Sequence, residues 1–482
     1  MRSNGILCPI ASLPSKYGIG DLGYPSYEFI DLISEAKIKY WQILPLNPID
    51  FCHSPYASSC DSAIDPIYVS LDLLKERGLL NRFKHIEFNK EKIEYDKVRE
   101  YKLFYLKNAY KNQKDTDTNE FKLFVSENSW LEKYALFEIL LKKNHNKVLY
   151  EWKKADKEAF YHKEGLITKY QKQLEFIYWV QFELFRELDL LKDYMHNKEI
   201  ELIGDLPFYV GLNSSDYFGH LDEFQIDEET DRPLKVGGVP PDYFSPLGQK
   251  WGNPCYDVEY MRSTGYIFFL NRIKKALRKY DILRLDHFRA FDTYYEIPFD
   301  AKDAKIGEWK KGLGEEFFKK VEEEGLLNQL IVEDLGDVFP SVYKLRDEFN
   351  LPGMNILQFT CLNNYDEVIE NQIVYTGSHD NETIVGFYKN MKKEDKNLLE
   401  IKFKYAGIDR RKKINYRFIS LAFSYPCKLA IIPIQDYLGL DNKARINTPG
   451  TSTNNWEFRL SSFKEFKKEI PNIIKTIEEY ER

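Results

Sequence analysis

Eight short apolar runs constrain the fold of this chain more than any other feature. Each is rich in β-branched residues and stops at or soon after a Pro, Gly, Asn or Asp, and most precede a longer segment with a helical period. The runs occupy residues 5–10, 40–46, 201–210, 281–287, 330–335, 354–359, 373–380 and 428–436. Near-continuous hydrophobicity is typical of strands in a parallel sheet that helices cover on both faces. Eight such units predict an α/β fold, a (β/α)8 TIM barrel with inserted, largely helical subdomains.

Two long gaps between the runs predict insertions into one barrel domain that spans residues 1–482. The first, at approximately 70–200, is charged and helical in pattern, with a capping box at 129–132 that opens a helix running through Leu140. A second helix is indicated at 174–191, where apolar residues recur every three or four positions and Gln181 interrupts the apolar face. The second gap, at approximately 211–265, is rich in Gly, Pro, Asp and aromatic residues, which predicts a loop.

The charge balance and the cysteines argue against several classes of protein. The 482 residues include 69 Lys and Arg against 76 Asp and Glu, which gives a formal net charge of -7. Without an overall basic field, neither nucleic acid nor an anionic membrane is an expected partner. The six cysteines are scattered without a C-x-x-C pair, and no segment resembles a secretory signal or a membrane helix. We therefore expect a soluble, cytoplasmic protein.

Three carboxylates lie where predicted strands end, which is where barrel enzymes build their sites. Asp286 lies at the end of the fourth run, Glu333 at the end of the fifth and Asp380 at the end of the seventh. We expect all three to face one bowl at the carboxyl ends of the strands. Two carboxylates across a substrate are what cleavage of a glycosidic bond requires, one to protonate the leaving oxygen and one to attack or stabilise the cationic sugar.

Each candidate residue also has a purely structural explanation. Asp380 precedes a helical segment and is suited to cap it. Arg284 alternates onto the same strand face as Asp286, so it either keeps that carboxylate ionised or forms a simple ion pair. His287 and His379 suggest a metal, but the eight histidines include no H-x-H pair and no H-E-x-x-H motif. We therefore expect neither a metal nor another cofactor.

A series of long motifs in a fixed order gives the chain an end-to-end resemblance to one enzyme family. The motifs are LPSKYGIGDLG (13–23), WQILPL (41–46), SPY (54–56), GDLP (204–207), VPPDYFS (239–245), GQ (248–249), WGNP (251–254), DHFR (286–289), EDLG (333–336), HDN (379–381) and NTPGT (447–451). With these motifs the chain resembles the 4-alpha-glucanotransferases, called amylomaltases or disproportionating enzymes, in the alpha-amylase clan. It departs from the family at Ala57, where Gln is common, and at Ser378, where Thr is common. Both departures concern the shape of the sugar subsites.

The resemblance implies a retaining transfer between maltooligosaccharides and other α-1,4-glucans, carried out by a single catalytic barrel whose insertion at 211–265 contributes substrate loops. Asp286 matches the family's nucleophile, Glu333 its general acid/base and Asp380 its transition-state stabiliser. The positions that match the family's glucan-binding residues are Tyr56, Asp242, Tyr243, Phe244, Trp251, Arg284, His287, His379 and Asn447. In such a retaining enzyme the carboxyls of Asp286 and Glu333 are expected about 5–5.5 Å apart.

Two other functions remain compatible with the residues themselves. An alpha-glucan hydrolase would use the same acids with water in place of the acceptor sugar. A non-catalytic glucan-binding protein would keep the aromatic residues without the chemistry. The products formed from maltotriose distinguish the three, because transfer gives longer oligosaccharides, hydrolysis gives only shorter ones, and binding gives neither.

Overall fold

The computed structural model describes residues 2–49, 52–241, 246–336, 338–363, 369–451 and 453–482. The strands, in chain order, are β1 (Ser3–Leu7), β2 (Tyr40–Gln42), β3 (Glu201–Leu206), β4 (Ile226–Asp227), β5 (Arg232–Pro233), β6 (Lys235–Val239), β7 (Gln249–Pro254), β8 (Ile282–Leu285), β9 (Thr293–Pro298), β10 (Glu308–Lys311), β11 (Leu330–Val332), β12 (Gly353–Ile356), β13 (Gln372–Tyr375) and β14 (Leu429–Pro433).

Helices make up about half of the rest of the described chain. They are α1 (Tyr24–Glu35), α2 (Leu71–Glu76), α3 (Tyr95–Asn112), α4 (Asn119–Glu127), α5 (Trp130–Lys143), α6 (Lys154–Tyr161), α7 (Glu164–His196), α8 (Ser215–Phe218), α9 (Val258–Ser263), α10 (Ile267–Lys279), α11 (Arg289–Asp292), α12 (Gly314–Glu323), α13 (Pro340–Glu348), α14 (Leu357–Thr360), α15 (Ile384–Asn390), α16 (Lys393–Tyr405), α17 (Ile414–Ser424), α18 (Ile434–Tyr437) and α19 (Lys464–Tyr480).

Eight parallel strands form a barrel in the order β11-β8-β3-β2-β1-β14-β13-β12. The two ends of this order meet, because the backbone N–H of Val332 in β11 donates to the carbonyl of Pro352, the residue before β12, at 3.0 Å. Each barrel strand therefore lies beside the next barrel strand along the chain, with at least one helix in every connection. The predicted (β/α)8 barrel is confirmed.

Each of the eight predicted runs overlaps one barrel strand, but the strands are shorter than the runs. β8 ends at Leu285, β11 at Val332 and β13 at Tyr375. Asp286 and Glu333 thus lie on the first residue after a strand, and Asp380 lies five residues beyond one. This places all three on the loops at the carboxyl ends of the strands.

Close packing fixes these strand ends. A cluster of apolar side chains from alternate strand positions fills the barrel, including Leu7, Ile203 and Ile431. On the outside of β3, a side chain at Gly204 would place its Cβ 2.1 Å from the ring of Tyr280, which follows α10. Glycine at this position therefore lets the helix approach the strand that carries the neighbouring Asp205.

The segment between β2 and β3 contains six helices, α2 to α7, in its described residues. The predicted helix after the capping box is present as α5, although the Ser129 side chain makes no capping hydrogen bond. Gln181 lies fully buried in α7, where its amide bonds both the N–H and the carbonyl of Ile64 at 3.0 and 2.8 Å. A polar residue on the apolar face therefore holds the segment after β2 against the helix.

The prediction of a loop at 211–265 is wrong for much of that segment. It contains α8, α9 and four short strands, and β6 and β7 join β9 and β10 in an antiparallel sheet of order β10-β9-β6-β7. Hydrophobic periodicity missed this sheet because many residues of its strands are polar or Gly. In the described part of the chain, no helix has the length and apolar content needed to cross a lipid bilayer.

Candidate active site

A cavity of about 430 Å³ lies at the carboxyl ends of the barrel strands, and Asp286, Glu333 and Asp380 all line it. Six of the predicted binding residues line the same cavity: Tyr56, Trp251, Arg284, His287, His379 and Asn447. The other three, Asp242, Tyr243 and Phe244, lie outside the described residues. The barrel therefore gathers, from distant parts of the chain, every predicted site residue whose position the structure gives.

Arg284 is the centre of the charged network at the base of the cavity. It is buried on β8, and its Nη1 lies 2.7 Å from Asp205 Oδ2 and 2.9 Å from Asp286 Oδ1. Burial by itself would lower the pKa of Arg284, but the two carboxylates raise it well above its usual value. The guanidinium therefore stays charged and holds Asp286 in place, while about a quarter of the Asp286 side chain (27%) remains exposed.

Asp205, at the end of β3, supports this arginine from the opposite side. Burial raises the pKa of Asp205 to about 7, although Arg284 opposes the shift. Its Oδ2 also accepts a hydrogen bond from the Tyr56 hydroxyl at 2.7 Å, while Oδ1 is buried without a described partner. Sequence analysis did not nominate Asp205, although this residue belongs to the GDLP motif (204–207) that carried part of the resemblance.

Glu333 is a buried carboxylate whose pKa is strongly raised by its surroundings. Burial raises its pKa to about 8, and the nearby Asp286 adds to the shift while Arg284 opposes it. Its Oε2 accepts a hydrogen bond at 2.9 Å from the backbone N–H of His287, the residue directly after Asp286. His287 adopts a left-handed backbone conformation (φ 52°). At neutral pH Glu333 is therefore mostly protonated and lies beside Asp286.

Asp380 is oriented by neighbours from two loops. Asn447 Nδ2 donates to Asp380 Oδ1 at 2.6 Å, and His379 Nε2 lies 3.4 Å from the same oxygen. The backbone is held as well, because Arg445 donates to the Asp380 carbonyl at 2.6 Å. The helix after this loop is capped instead by Thr383, whose side chain accepts from the N–H of Gly386. The structural explanation of Asp380 as a helix cap is therefore wrong.

Aromatic rings form two walls of the cavity. On one side Tyr56 stacks on His379, with ring centroids 5.1 Å apart, and Trp456 lies 5.7 Å from Tyr56. On the other side Trp251, 39% exposed, meets the edge of His287 at 5.0 Å. Such faces suit the flat apolar surface of a sugar ring.

The two histidines of the cavity are uncharged at neutral pH. Burial lowers the pKa of His287 to about 4 and also lowers the pKa of His379. Neutral imidazoles exchange hydrogen bonds with hydroxyl groups without adding positive charge to the site. Among the described residues, no group of three or more His, Cys, Asp or Glu side chains is arranged to hold a metal ion.

Sequence reasoning missed further residues of the cavity. Gln249 and Asn253 lie within motifs that carried the resemblance, whereas Tyr209 and Trp456 had no signal of their own. Trp456 follows the last barrel strand by more than twenty residues, so no strand end pointed to it. Only the path of the chain back across the barrel brings its ring beside Tyr56 and His379.

Comparison with known proteins decides what this cavity belongs to. The family model described as 4-alpha-glucanotransferase matches residues 8–464. The chain belongs to the 4-alpha-glucanotransferase family. It is similar to the 4-alpha-glucanotransferase of Clostridium butyricum, with 37% identity covering 96% of this chain and 97% of that protein. The 4-alpha-glucanotransferase of Synechocystis is 38% identical, covering 95% and 94% of the two chains.

A solved structure agrees with this assignment. The amylomaltase from Streptococcus agalactiae in complex with acarbose superposes with a TM-score of 0.94 at 29% identity, covering 100% of both chains. The predicted family and enzyme class are therefore confirmed along with the fold. As a member of the 4-alpha-glucanotransferase family, the chain is an enzyme that transfers parts of α-glucans with retention of configuration.

Proposed function

We propose that this enzyme moves α-1,4-glucan segments between maltooligosaccharides by a double displacement, with Asp286 as nucleophile, Glu333 as general acid/base and Asp380 as transition-state stabiliser. The observation that carries the proposal is one cavity lined by all three carboxylates, in which burial raises the pKa of Glu333 to about 8. A retaining glycosidase needs this division between a protonated acid and an ionised nucleophile.

Asp286 is suited to attack because its position and charge are fixed. Arg284 is buried and binds Asp286 Oδ1 at 2.9 Å, so one carboxylate oxygen is held and the charge is stabilised. Asp205 in turn fixes the arginine, and the Tyr56 hydroxyl fixes Asp205. Such preorganisation removes the need for the nucleophile to reorient during the reaction.

Glu333 is suited to donate a proton because the buried carboxyl retains it at neutral pH. In the first step the Glu333 proton passes to the bridging oxygen, the bond from the anomeric carbon to that oxygen breaks, and an Asp286 oxygen bonds to the anomeric carbon. In the second step the 4-hydroxyl of an acceptor sugar gives its proton to the Glu333 carboxylate, and its oxygen displaces Asp286. The bond to Asp286 breaks, and both side chains return to their starting states.

Asp380 and the aromatic walls would hold the sugar between these acids. The Asp380 side chain is 44% exposed and oriented by Asn447, so it can accept hydrogen bonds from sugar hydroxyls near the cationic transition state. Tyr56 and Trp251 would stack on sugar rings. Asp242, Tyr243 and Phe244 are proposed to extend the glucan-binding surface from the 211–265 insertion.

We also propose the organisation of the chain around this reaction. Residues 1–482 would act as a single catalytic barrel, with a helical insertion at approximately 70–200 and substrate loops at approximately 211–265. The expected location is the cytoplasm, which cell fractionation with a specific antibody would test.

The test of the function is incubation of the purified chain with maltotriose. Transfer predicts a ladder of oligosaccharides both longer and shorter than maltotriose, with no net increase in the number of reducing ends. Shorter products alone would establish the alternative hydrolase, and binding of maltooligosaccharide without any product would establish the non-catalytic glucan-binding protein. The carboxyls of Asp286 and Glu333 are predicted about 5–5.5 Å apart, whereas about 9 Å would indicate inversion and contradict the mechanism.

A further inference from the structure

A second cavity, of about 760 Å³, lies at the start of α19, outside the cavity that holds the three carboxylates. Its charged lining consists of six cationic residues, Lys16, Lys90, Arg459, Lys464, Lys467 and Lys468, and one acid, Glu28. We call this surface the basic groove. Six cations against one acid is unusual in a chain whose formal net charge is -7, so the local charge of the groove opposes that of the whole protein.

Arg459 is the buried member of the basic groove. It is only 4% exposed, and its Nη groups donate to the main-chain carbonyls of Asn89 and Ser15 at 2.9 and 2.7 Å. Its Nε–H is buried without a hydrogen-bond partner, and no described carboxylate lies within salt-bridge distance. Burial lowers the pKa of Arg459 to about 10, although the negative charge of Glu94 opposes the shift. A buried guanidinium without a carboxylate is costly unless an anion compensates it.

The lysines of the basic groove are only partly neutralised by acids of the protein. Lys16 pairs with Asp72 and Lys467 with Glu28, both at 2.8 Å. Lys90 and Lys464 are exposed and form no ion pair with a described residue. Together with Arg459, they leave three positive charges along one groove without an ion pair to a described residue, and Glu94 and Glu465 offset these charges only from a longer distance.

The N-terminus of α19 adds to this positive potential. The helix has 17 residues, and its N-cap residue Phe463 offers no side-chain hydrogen bond to the first turn. The free N–H groups of a helix N-terminus carry partial positive charge and bind anions. Ser461, Ser462 and Phe463 line the groove, so this end of the helix adjoins the unpaired cations.

We propose that the basic groove binds a phosphate group, either inorganic phosphate or the phosphate of a hexose phosphate. Phosphate carries up to two negative charges, and its oxygens accept hydrogen bonds from guanidinium, ammonium and backbone N–H groups, all of which adjoin the groove. A volume of about 760 Å³ also accommodates a sugar attached to the phosphate.

The basic groove and the catalytic cavity share one stretch of chain. Trp456 lines the catalytic cavity, and Arg459, three residues later, lines the groove. Between them the main chain is held by Tyr95, whose hydroxyl donates to the Trp456 carbonyl, and by Ser12, whose hydroxyl donates to the Phe458 carbonyl, both at 2.8 Å. Binding in the groove is therefore expected to slow amide exchange in residues 456–468.

The experiment is isothermal titration calorimetry of the full chain with sodium phosphate and, separately, glucose 6-phosphate, with NaCl holding the ionic strength constant. We expect saturable binding of one phosphate per chain. In the double variant Lys90→Ala/Lys464→Ala, affinity is expected to fall about tenfold or more, as for the loss of charged hydrogen bonds. The matched control Lys153→Ala/Lys154→Ala removes the same charge from exposed positions at the start of α6 and is expected to bind like the wild type.

Activity on maltotriose confirms that each variant is folded, because none of these four lysines lines the catalytic cavity. Tighter binding of glucose 6-phosphate than of inorganic phosphate would identify the hexose phosphate as the preferred ligand, and the reverse order would identify free phosphate. Absence of saturable binding by either probe overturns the proposal. So does an equal loss of affinity in the groove variant and in the control, since that result means general charge attraction.

Discussion

Two buried arginine clusters contain the same types of side chain but differ in whether all of their polar atoms have hydrogen-bond partners. The inner cluster, inside the barrel rim, consists of Arg284, Asp205, Asp286 and Tyr56. The outer cluster, where α10 packs on the barrel, consists of Arg272, Asp61, Tyr256 and Lys279. Each arginine is at most 5% exposed, and the aspartates Asp205 and Asp61 that pair with them are at most 6% exposed.

The outer cluster is closed. Arg272 uses its Nε and both Nη groups to bind Asp61, the Tyr256 hydroxyl and the carbonyls of Pro207 and Phe208, at distances of 2.5–2.9 Å. These bonds fix the segment after β3, which also lines the catalytic cavity. Closed networks of this kind hold a fold in one arrangement.

The inner cluster is open by contrast. Asp205 Oδ1 has no described partner, and part of Asp286 faces the cavity. A buried charged network with polar atoms left over towards a cavity is suited to bind and react, whereas one without them supports the structure. The difference therefore agrees with the proposal that the inner cluster reacts and that the outer cluster supports the structure.

Replacing Asp286 with Asn gives the largest expected effect on the inner cluster. Turnover of maltotriose is expected to fall about 10⁵-fold or more, as for the loss of other covalent nucleophiles, while the thermal unfolding temperature changes little. Product chromatography and a thermal melt measure the two quantities. Substantial residual turnover would remove Asp286 from the nucleophile's role and with it the contrast between the clusters.

Glu333→Gln removes the proton donor and leaves the nucleophile in place. Turnover of maltotriose is expected to fall about 10²–10⁴-fold. With α-glucosyl fluoride, whose leaving group needs no proton, much of the rate of the first step should return. Stopped-flow release of fluoride measures that step, and an equal loss with both donors would contradict the role of Glu333 as acid.

Asp61→Asn tests the outer cluster, because it removes the partner of the buried Arg272. The expected cost is about 3–5 kcal/mol of the free energy of unfolding, with kcat preserved in the folded fraction. The matched control is Asp189→Asn, which breaks an exposed ion pair with Arg278, a residue of α10 like Arg272. It should cost about 0–1 kcal/mol. Urea denaturation compares the two variants, and equal costs would deny the outer cluster its structural role.

The pH dependence of kcat/KM tests the assignment of Glu333 as the general acid. Because the pKa of Glu333 is raised to about 8, the protonated acid persists through neutral pH and is lost only as the pH rises further. We expect kcat/KM to fall about tenfold per pH unit above pH 8. A decline that begins near pH 5 would mean that a carboxyl with an ordinary pKa supplies the proton.

Tyr56→Phe gives the smallest expected effect. It removes the hydroxyl that donates to Asp205 at 2.7 Å but keeps the ring that stacks on His379. The loss of one hydrogen bond to a charged group is expected to lower kcat about tenfold, with the KM for maltotriose nearly unchanged. A rise in KM alone would show that the hydroxyl contacts the glucan and does not support the network.

Much of this site was predictable because strand ends in a barrel converge. The rule that selected Asp286, Glu333 and Asp380 needs only the apolar runs and the acids at their ends. The same rule misses Asp205, the partner of Arg284, because this acid lies within β3 and within the third run. This rule cannot identify Trp456, because the position of Trp456 depends on how the chain returns across the barrel after β14.

The amino-acid sequence by itself determined the barrel and the identity of the three acids, because hydrophobic runs specify buried parallel strands without knowledge of their neighbours. Only the tertiary structure decided that the pKa of Glu333 is raised to about 8. It also decided that Arg284 faces the cavity while Arg272 is enclosed. Electrostatic shifts depend on burial and on charges a few ångströms away, and these distances join residues far apart along the chain.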